Sequence, residues 1–171
     1  MITVGKNAPS FSCAAVKENK VEQLSLEHFK DSYKLLFFYP LDFTFVCPTE
    51  LHALEEYKTF FHERNVAVLA TSVDSVYSHQ AWLSTPKEQG GIKGVSYYLL
   101  SDITKKIAQD YGVLQEEAGV ALRAVFVLDK QDVVQYASIQ NLSLGRNIPE
   151  LIRVIDAIMH VEKHGEVCPV N

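Results

Sequence analysis

Three cysteines, Cys13, Cys47 and Cys168, are the strongest nucleophiles in this 171-residue chain, and their surroundings differ sharply. Cys47 closes the stretch Pro40-Leu41-Asp42-Phe43-Thr44-Phe45-Val46-Cys47 and is followed at once by Pro48-Thr49-Glu50. Proline suits a first helical turn, because the N–H it lacks would be orphaned there anyway. Leu51, Leu54, Tyr57 and Phe61 then recur at three- and four-residue steps, so one helix is predicted from near Pro48 with Cys47 in its first turn. The apolar run Leu35-Leu36-Phe37-Phe38-Tyr39 comes just before. The sulfur is thereby placed beyond the carboxyl end of a strand, where open α/β sheets carry their sites. The reactive form of a thiol is its anion, only a few per cent of a free thiol at pH 7, and N–H groups at a helix start or a nearby guanidinium stabilise that anion. The chemistry that fits is nucleophilic attack by sulfur. Thr44, three residues earlier, supplies a hydroxyl for the sulfur or an attacked oxygen, and Pro40 shields the pocket and fixes the entry of the chain.

The other cysteines lack this setting. Cys13 lies between Ser12 and Ala14 with no arginine, histidine or helix start nearby and is expected to be an inert buried thiol. Cys168 stands in the closing segment Glu166-Val167-Cys168-Pro169-Val170-Asn171, too short and polar to form a domain. By itself it reads equally as a working thiol or a bystander. An odd count with no C-x-x-C argues against a disulfide-stapled module and against a dithiol reductase of the thioredoxin kind. No paired spacing suggests zinc, and all six histidines read as surface or helix-end residues without a partner. The glycines of residues 90–94 lack the phosphate-loop spacing.

The elements that must position Cys47 follow from periodicity. Residues 35–39, 66–70 and 124–128 are continuous apolar runs, the pattern of strands buried on both faces. The polar turn Asp129-Lys130-Gln131-Asp132 joins the third run to residues 133–139, an antiparallel hairpin, so the sheet is mixed. Helices are expected over residues 75–83, over residues 104–111 before Gly112, and from Ile148 to Met159 with Asn147 as N-cap and Glu150 three residues on. Strands alternating with helices make the chain α/β. No linker or repeat divides it.

Composition sets the outer bounds. At 47% hydrophobic and 22% charged residues, the chain buries a core of its own, which excludes disorder. Sixteen basic against twenty-one acidic residues, a net charge of −5, provide no footprint for nucleic acid or an anionic membrane. No apolar stretch approaches the roughly 18 to 20 residues of a membrane span. Residues 1–7 do not read as a signal peptide, which points to a reducing, cytoplasmic setting, or to an organelle such as the mitochondrion if a presequence has been removed.

Taken together, Pro40-x-x-x-Thr44-x-x-Cys47-Pro48-Thr49-Glu50, Ser72-Val73-Asp74-Ser75, Ser101-Asp102 and Gly165-Glu166-Val167-Cys168-Pro169 resemble the peroxiredoxins of the typical two-cysteine subfamily, along essentially the whole chain. The resemblance implies a thioredoxin-like fold, a central mixed sheet with helices on both faces, over residues 1–165, and a tail of residues 166–171. It implies that Cys47 is the peroxidatic cysteine and Cys168 the resolving one. Pro40, Thr44 and Arg123 would complete the peroxide pocket, with Glu50 orienting arginines and Arg146 its second partner. Taken alone, Arg123 reads as a solvated surface arginine. The implied activity is reduction of hydrogen peroxide and alkyl hydroperoxides, recycled by thioredoxin or a similar dithiol, without cofactor or metal. The implied assembly is a homodimer, extended to a decamer, whose partner subunit supplies the resolving thiol. A ring-forming holdase or a peroxide sensor using the same thiol is the alternative. The family's oxidation-sensitive members carry a Gly-Gly-Leu-Gly loop and a covering C-terminal helix with a Tyr-Phe pair. Here the loop reads Gly90-Gly91-Ile92-Lys93-Gly94 and the sequence stops three residues past Cys168, so the expectation is either easier opening and resolution at Cys47 or a tail too mobile to present Cys168 well.

Overall fold

A computed structural model describes residues 2–165. The expectation for Cys168 therefore lies outside the described residues. The strands are β1 (Ser12–Lys17), β2 (Lys20–Ser25), β3 (Tyr33–Phe38), β4 (Val66–Ser72), β5 (Tyr98–Ser101), β6 (Leu114–Gln115), β7 (Val120–Ala121), β8 (Arg123–Leu128) and β9 (Val134–Gln140). The helices are α1 (Cys47–Glu56), α2 (Lys58–Glu63), α3 (Val76–Ser84), α4 (Lys106–Asp110) and α5 (Ile148–His164). Seven strands form one sheet in the order β2-β1-β5-β4-β3-β8-β9, while β6 and β7 pair separately. The central trio β3, β4 and β5 is parallel, and β8 joins β3 antiparallel, with Leu36 opposite Phe126. The sheet is mixed, as the hairpin between β8 and β9 foretold.

The continuous apolar runs are strands buried throughout: every residue of β3 and of β8 is buried. Side chains alternate across a strand, so Leu35 and Phe37 enter one core layer while Leu36 and Phe38 enter the other. The first layer holds Leu51 and Leu54 of α1, Phe61 of α2, Trp82 of α3, and Leu151 and Ile155 of α5. The second holds Ile107 and Ala108 of α4 against Tyr111 and Phe126. Helices therefore cover both faces. A buried lysine also serves the frame. Lys34 is 0% exposed, and its ammonium meets the Asp132 carboxylate at 2.6 Å and the Asp129 carbonyl at 3.2 Å, tying β3 to the hairpin turn.

Three local features depart from the sequence reading. The single helix expected from Pro48 through Phe61 is two helices, because at Tyr57 (φ −96°, ψ 14°) the chain closes a tighter turn, Tyr57 N–H donating to the Leu54 carbonyl at 3.0 Å. The hairpin of β1 and β2 carries no glycine or proline turn signal in the sequence. Its turn residues Glu18 and Asn19 both take positive φ (49° and 61°), the mirror-type geometry that Asn-Gly ordinarily announces. At the start of α4, the Asp102 carboxylate accepts from the N–H groups of Ile107 (3.0 Å) and Ala108 (2.7 Å), five and six residues beyond it rather than at the usual cap spacing. Asn147 does cap α5 as expected, accepting from Glu150 N–H at 3.2 Å.

Candidate active site

The site is built at the carboxyl end of β3. Tyr39 and Pro40 leave the strand buried, Phe43 turns the chain with φ 54°, and Cys47 opens α1 with 0% exposure. The loop between them is held by Asp42. Its carboxylate accepts from the Tyr39 hydroxyl (2.8 Å) and the Ser78 hydroxyl (2.8 Å), and lies 2.8 Å from Nδ1 of His79. Its backbone N–H donates to Asp74 at 2.9 Å. Burial, with the Asp42 carboxylate next, pushes the Asp74 carboxyl upward.

His79 corrects the expectation that every histidine sits at the surface without a partner: it is 0% exposed, in the body of α3. Its Nε2 lies 3.2 Å from the Leu100 carbonyl. A carbonyl only accepts, so Nε2 carries a hydrogen, and the approach of Nδ1 to Asp42 needs a second proton between them. The signal was present. Val76, His79 and Leu83 share the inward face of α3, so the histidine falls on an apolar stripe. Asp42→Ala would leave the buried Tyr39 hydroxyl, the buried His79 ring and the half-buried Ser78 hydroxyl without their acceptor, at about 1–3 kcal/mol for each unsatisfied buried group. A loss of about 3–5 kcal/mol in chemical denaturation is expected, and a loss below about 1 kcal/mol would refute the assignment.

Beside the sulfur stand two arginines and one carboxylate. Arg123 begins β8 on the face it shares with Val125 and Val127, and its Nη1 donates to Cys47 Sγ at 3.3 Å and to Glu50 Oε2 at 2.8 Å. Its Nε donates to the Leu142 carbonyl at 2.6 Å, which fixes the plane of the fork. Glu50, one turn after Cys47 on α1, also receives three bonds from Arg146: backbone N–H at 2.8 Å, Nε at 3.0 Å and Nη2 at 2.8 Å. Arg146 spans the sheet end further by donating to the Ala124 carbonyl at 2.9 Å, and lies over the Phe37 ring. All three are close to fully buried: Glu50 is 5% exposed, Arg123 4% and Arg146 9%. A solvated role for Arg123 is thereby excluded.

Burial alone would raise the Glu50 carboxyl, but the hydrogen bonds and charge of Arg146, with Arg123 behind them, hold it below the usual carboxylate range. Two guanidinium groups against one carboxylate leave the cluster one positive charge in excess. A sulfur anion brings it to zero.

Thr44 keeps its hydroxyl on the Leu41 carbonyl at 3.1 Å. Cys13, on β1, is the opposite case from Cys47: burial, with the Asp102 carboxylate added, pushes its thiol up to about 12, which makes it an inert core residue. The structure thus brings Cys47, Arg123, Glu50 and Arg146 together.

A sheet of this order with a thiol at the first turn after β3 is the thioredoxin-like fold as peroxiredoxins carry it. More narrowly, the chain belongs to the AhpC/TSA family, whose family model matches residues 4–137. The reduced 2-Cys peroxiredoxin of Plasmodium vivax superposes with a TM-score of 0.95 at 50% identity, covering 98% of this chain and 88% of that one. The mitochondrial thioredoxin-dependent peroxide reductase of Mus musculus is 50% identical over 98% of this chain, and the thioredoxin peroxidase of Echinococcus granulosus is 45% identical over the same share. This chain spans 65% of the length of the mouse protein and 87% of that of the Echinococcus protein.

Proposed function

We propose that this chain is a thiol peroxidase acting on hydrogen peroxide and small alkyl hydroperoxides. The observation that carries the reading is the 3.3 Å contact between Arg123 Nη1 and Cys47 Sγ, with the guanidinium held in place by Glu50 and the Leu142 carbonyl. Cys47 sulfur attacks one peroxide oxygen, the O–O bond breaks, and the other oxygen leaves with a proton as water or alcohol. Arg123 stabilises the charge passing between the oxygens, and Thr44, turning its hydroxyl from Leu41, shares that task. Pro40 closes the pocket floor against water. Glu50 and Arg146 aim Arg123.

Cys47 is then a sulfenic acid, which condenses with the thiol of Cys168 from the partner subunit of a homodimer, releasing water and forming a disulfide. Thioredoxin or a similar dithiol returns both thiols. Dimers assemble into a decamer, and a reducing compartment, the cytoplasm, suits the resting thiols. The relatives named for thioredoxin-dependent peroxide reduction support this reading, and the mouse one is named as mitochondrial. No cofactor or metal is required.

One equivalent of hydrogen peroxide should convert the reduced protein to a disulfide-linked dimer on non-reducing mass analysis, reversed by a dithiol. In Cys168→Ser the product should instead be a monomer one oxygen atom heavier. An unchanged mass in both proteins would sink the proposal.

A further inference from the structure

The last two turns of α5 carry a pair of imidazoles that the thiol chemistry leaves unused. His160 and His164 stand four residues apart, the spacing that puts two side chains one above the other on a helix face. Both are exposed, and their ring centroids lie 4.6 Å apart with the planes tilted by 36°.

That separation has a specific meaning. An imidazole nitrogen binds a first-row divalent ion at about 2.0–2.1 Å, and the ring centre lies about 1.2 Å behind it, so about 3.2 Å from the metal. Two such ligands at an angle of about 90–110° place their ring centres about 4.5–5.3 Å apart. The two rings already stand at that distance. The neighbouring charges are otherwise engaged or compatible. Asp156, one turn before His160, is bonded to Arg64 at 2.7 Å, and Glu162 faces Lys130 at 3.4 Å. Lys163 is the one like charge in the turn. Against it stands the negative end of a 17-residue helix, which favours a cation at its last turn.

We propose that His160 and His164 form a two-imidazole clamp for a borderline divalent ion, Zn²⁺ or Cu²⁺, with water completing the coordination. Imidazole pairs select these ions over Mg²⁺ and Ca²⁺, which require oxygen ligands. Among the described residues no group of three or more metal-capable side chains exists, so the clamp is a surface chelate that exchanges its ion. Occupancy fastens the final turn of α5, which ends at Gly165 with its N–H on the Val161 carbonyl at 2.8 Å. Metal binding and helix-end stability are linked, each strengthening the other.

Thiolates also bind these ions, so the test uses the full chain with Cys47→Ser and Cys168→Ser in place. Calorimetric titration with ZnCl₂ should show one ion per chain, MgCl₂ should show none, and His160→Gln or His164→Gln should each weaken Zn²⁺ binding roughly tenfold or more. With Cu²⁺, the electron paramagnetic resonance spectrum should carry hyperfine structure from two imidazole nitrogens and lose it in either variant. Absence of Zn²⁺ binding in the thiol-free chain, or affinities in both glutamine variants within twofold of that chain, would overturn the proposal.

Discussion

Cys47→Ser should lower peroxide turnover by on the order of a thousandfold or more, the scale on which loss of a nucleophile is felt. The substitution is nearly isosteric at a fully buried position, so Arg123, Glu50 and Arg146 keep their mutual bonds and the fold should hold. What changes is the attacking atom. A serine hydroxyl is hardly ionised near neutral pH, and its oxygen is a far weaker nucleophile toward a peroxide than sulfur. Loss of the thiol therefore removes chemistry while leaving the architecture, and Arg123 is left aimed at a group that cannot react. The measurement is hydrogen peroxide consumption coupled to a thioredoxin system, with circular dichroism as the check on folding. Turnover above a tenth of the starting rate would end the assignment. Cys13→Ser is the internal contrast, since that thiol is held at about 12 and should leave the rate unchanged.

Glu50→Gln should lower both stability and turnover. The carboxylate bridges two guanidinium groups at 2.8 Å each, with all three side chains nearly out of water. Neutralising it raises the excess buried charge from one to two, and removing one partner of a buried ion pair costs about 3–5 kcal/mol. The amide oxygen still accepts a hydrogen bond, so the lower end of that range is expected. Peroxide turnover should fall as well, because Arg123 loses one of its two anchors.

The pH dependence carries the sign. The Glu50 carboxyl titrates lower in the folded protein than in the unfolded chain, where a glutamate has a pKa of about 4.3. Its contribution is therefore complete above that unfolded value and is lost as the pH falls through the folded one. The stability gap between the parent and Glu50→Gln should be constant from pH 8 to about 5 and should shrink below about 4.3 in chemical denaturation. A gap that widens on acidification would contradict the charge assignment.

Much of the frame is legible in the residues because its causes are local. The runs 35–39 and 124–128 are apolar at every position since both faces of those strands are covered, and Pro48 marks the helix start because proline fits only that end. Those two signals locate Cys47. What local pattern hides is pairing across the chain. Arg123 reads alone as a surface charge, because the carboxylate that lets it and Arg146 be buried lies 73 and 96 residues away from them along the chain. Only the likeness to a known family marks them. The Asp42–His79 pair is hidden for the same reason, 37 residues apart, although the apolar face of α3 hints at it. The break at Tyr57 has no glycine or proline to announce it, so a continuous stripe of apolar residues concealed two helices.

The distance along the chain between the sulfur and its cations bears also on synthesis. Cys47 emerges from the ribosome long before Arg123 and Arg146, and the strand that carries Arg123 inserts beside β3 rather than beside its predecessor in sequence. A nascent chain ending before residue 123 carries the thiol without either guanidinium. Assembly of the cluster around Cys47 thus waits until residues 123 and 146 have both been made, so the sulfur meets its guanidinium partners only after the strands from β1 to β9 exist.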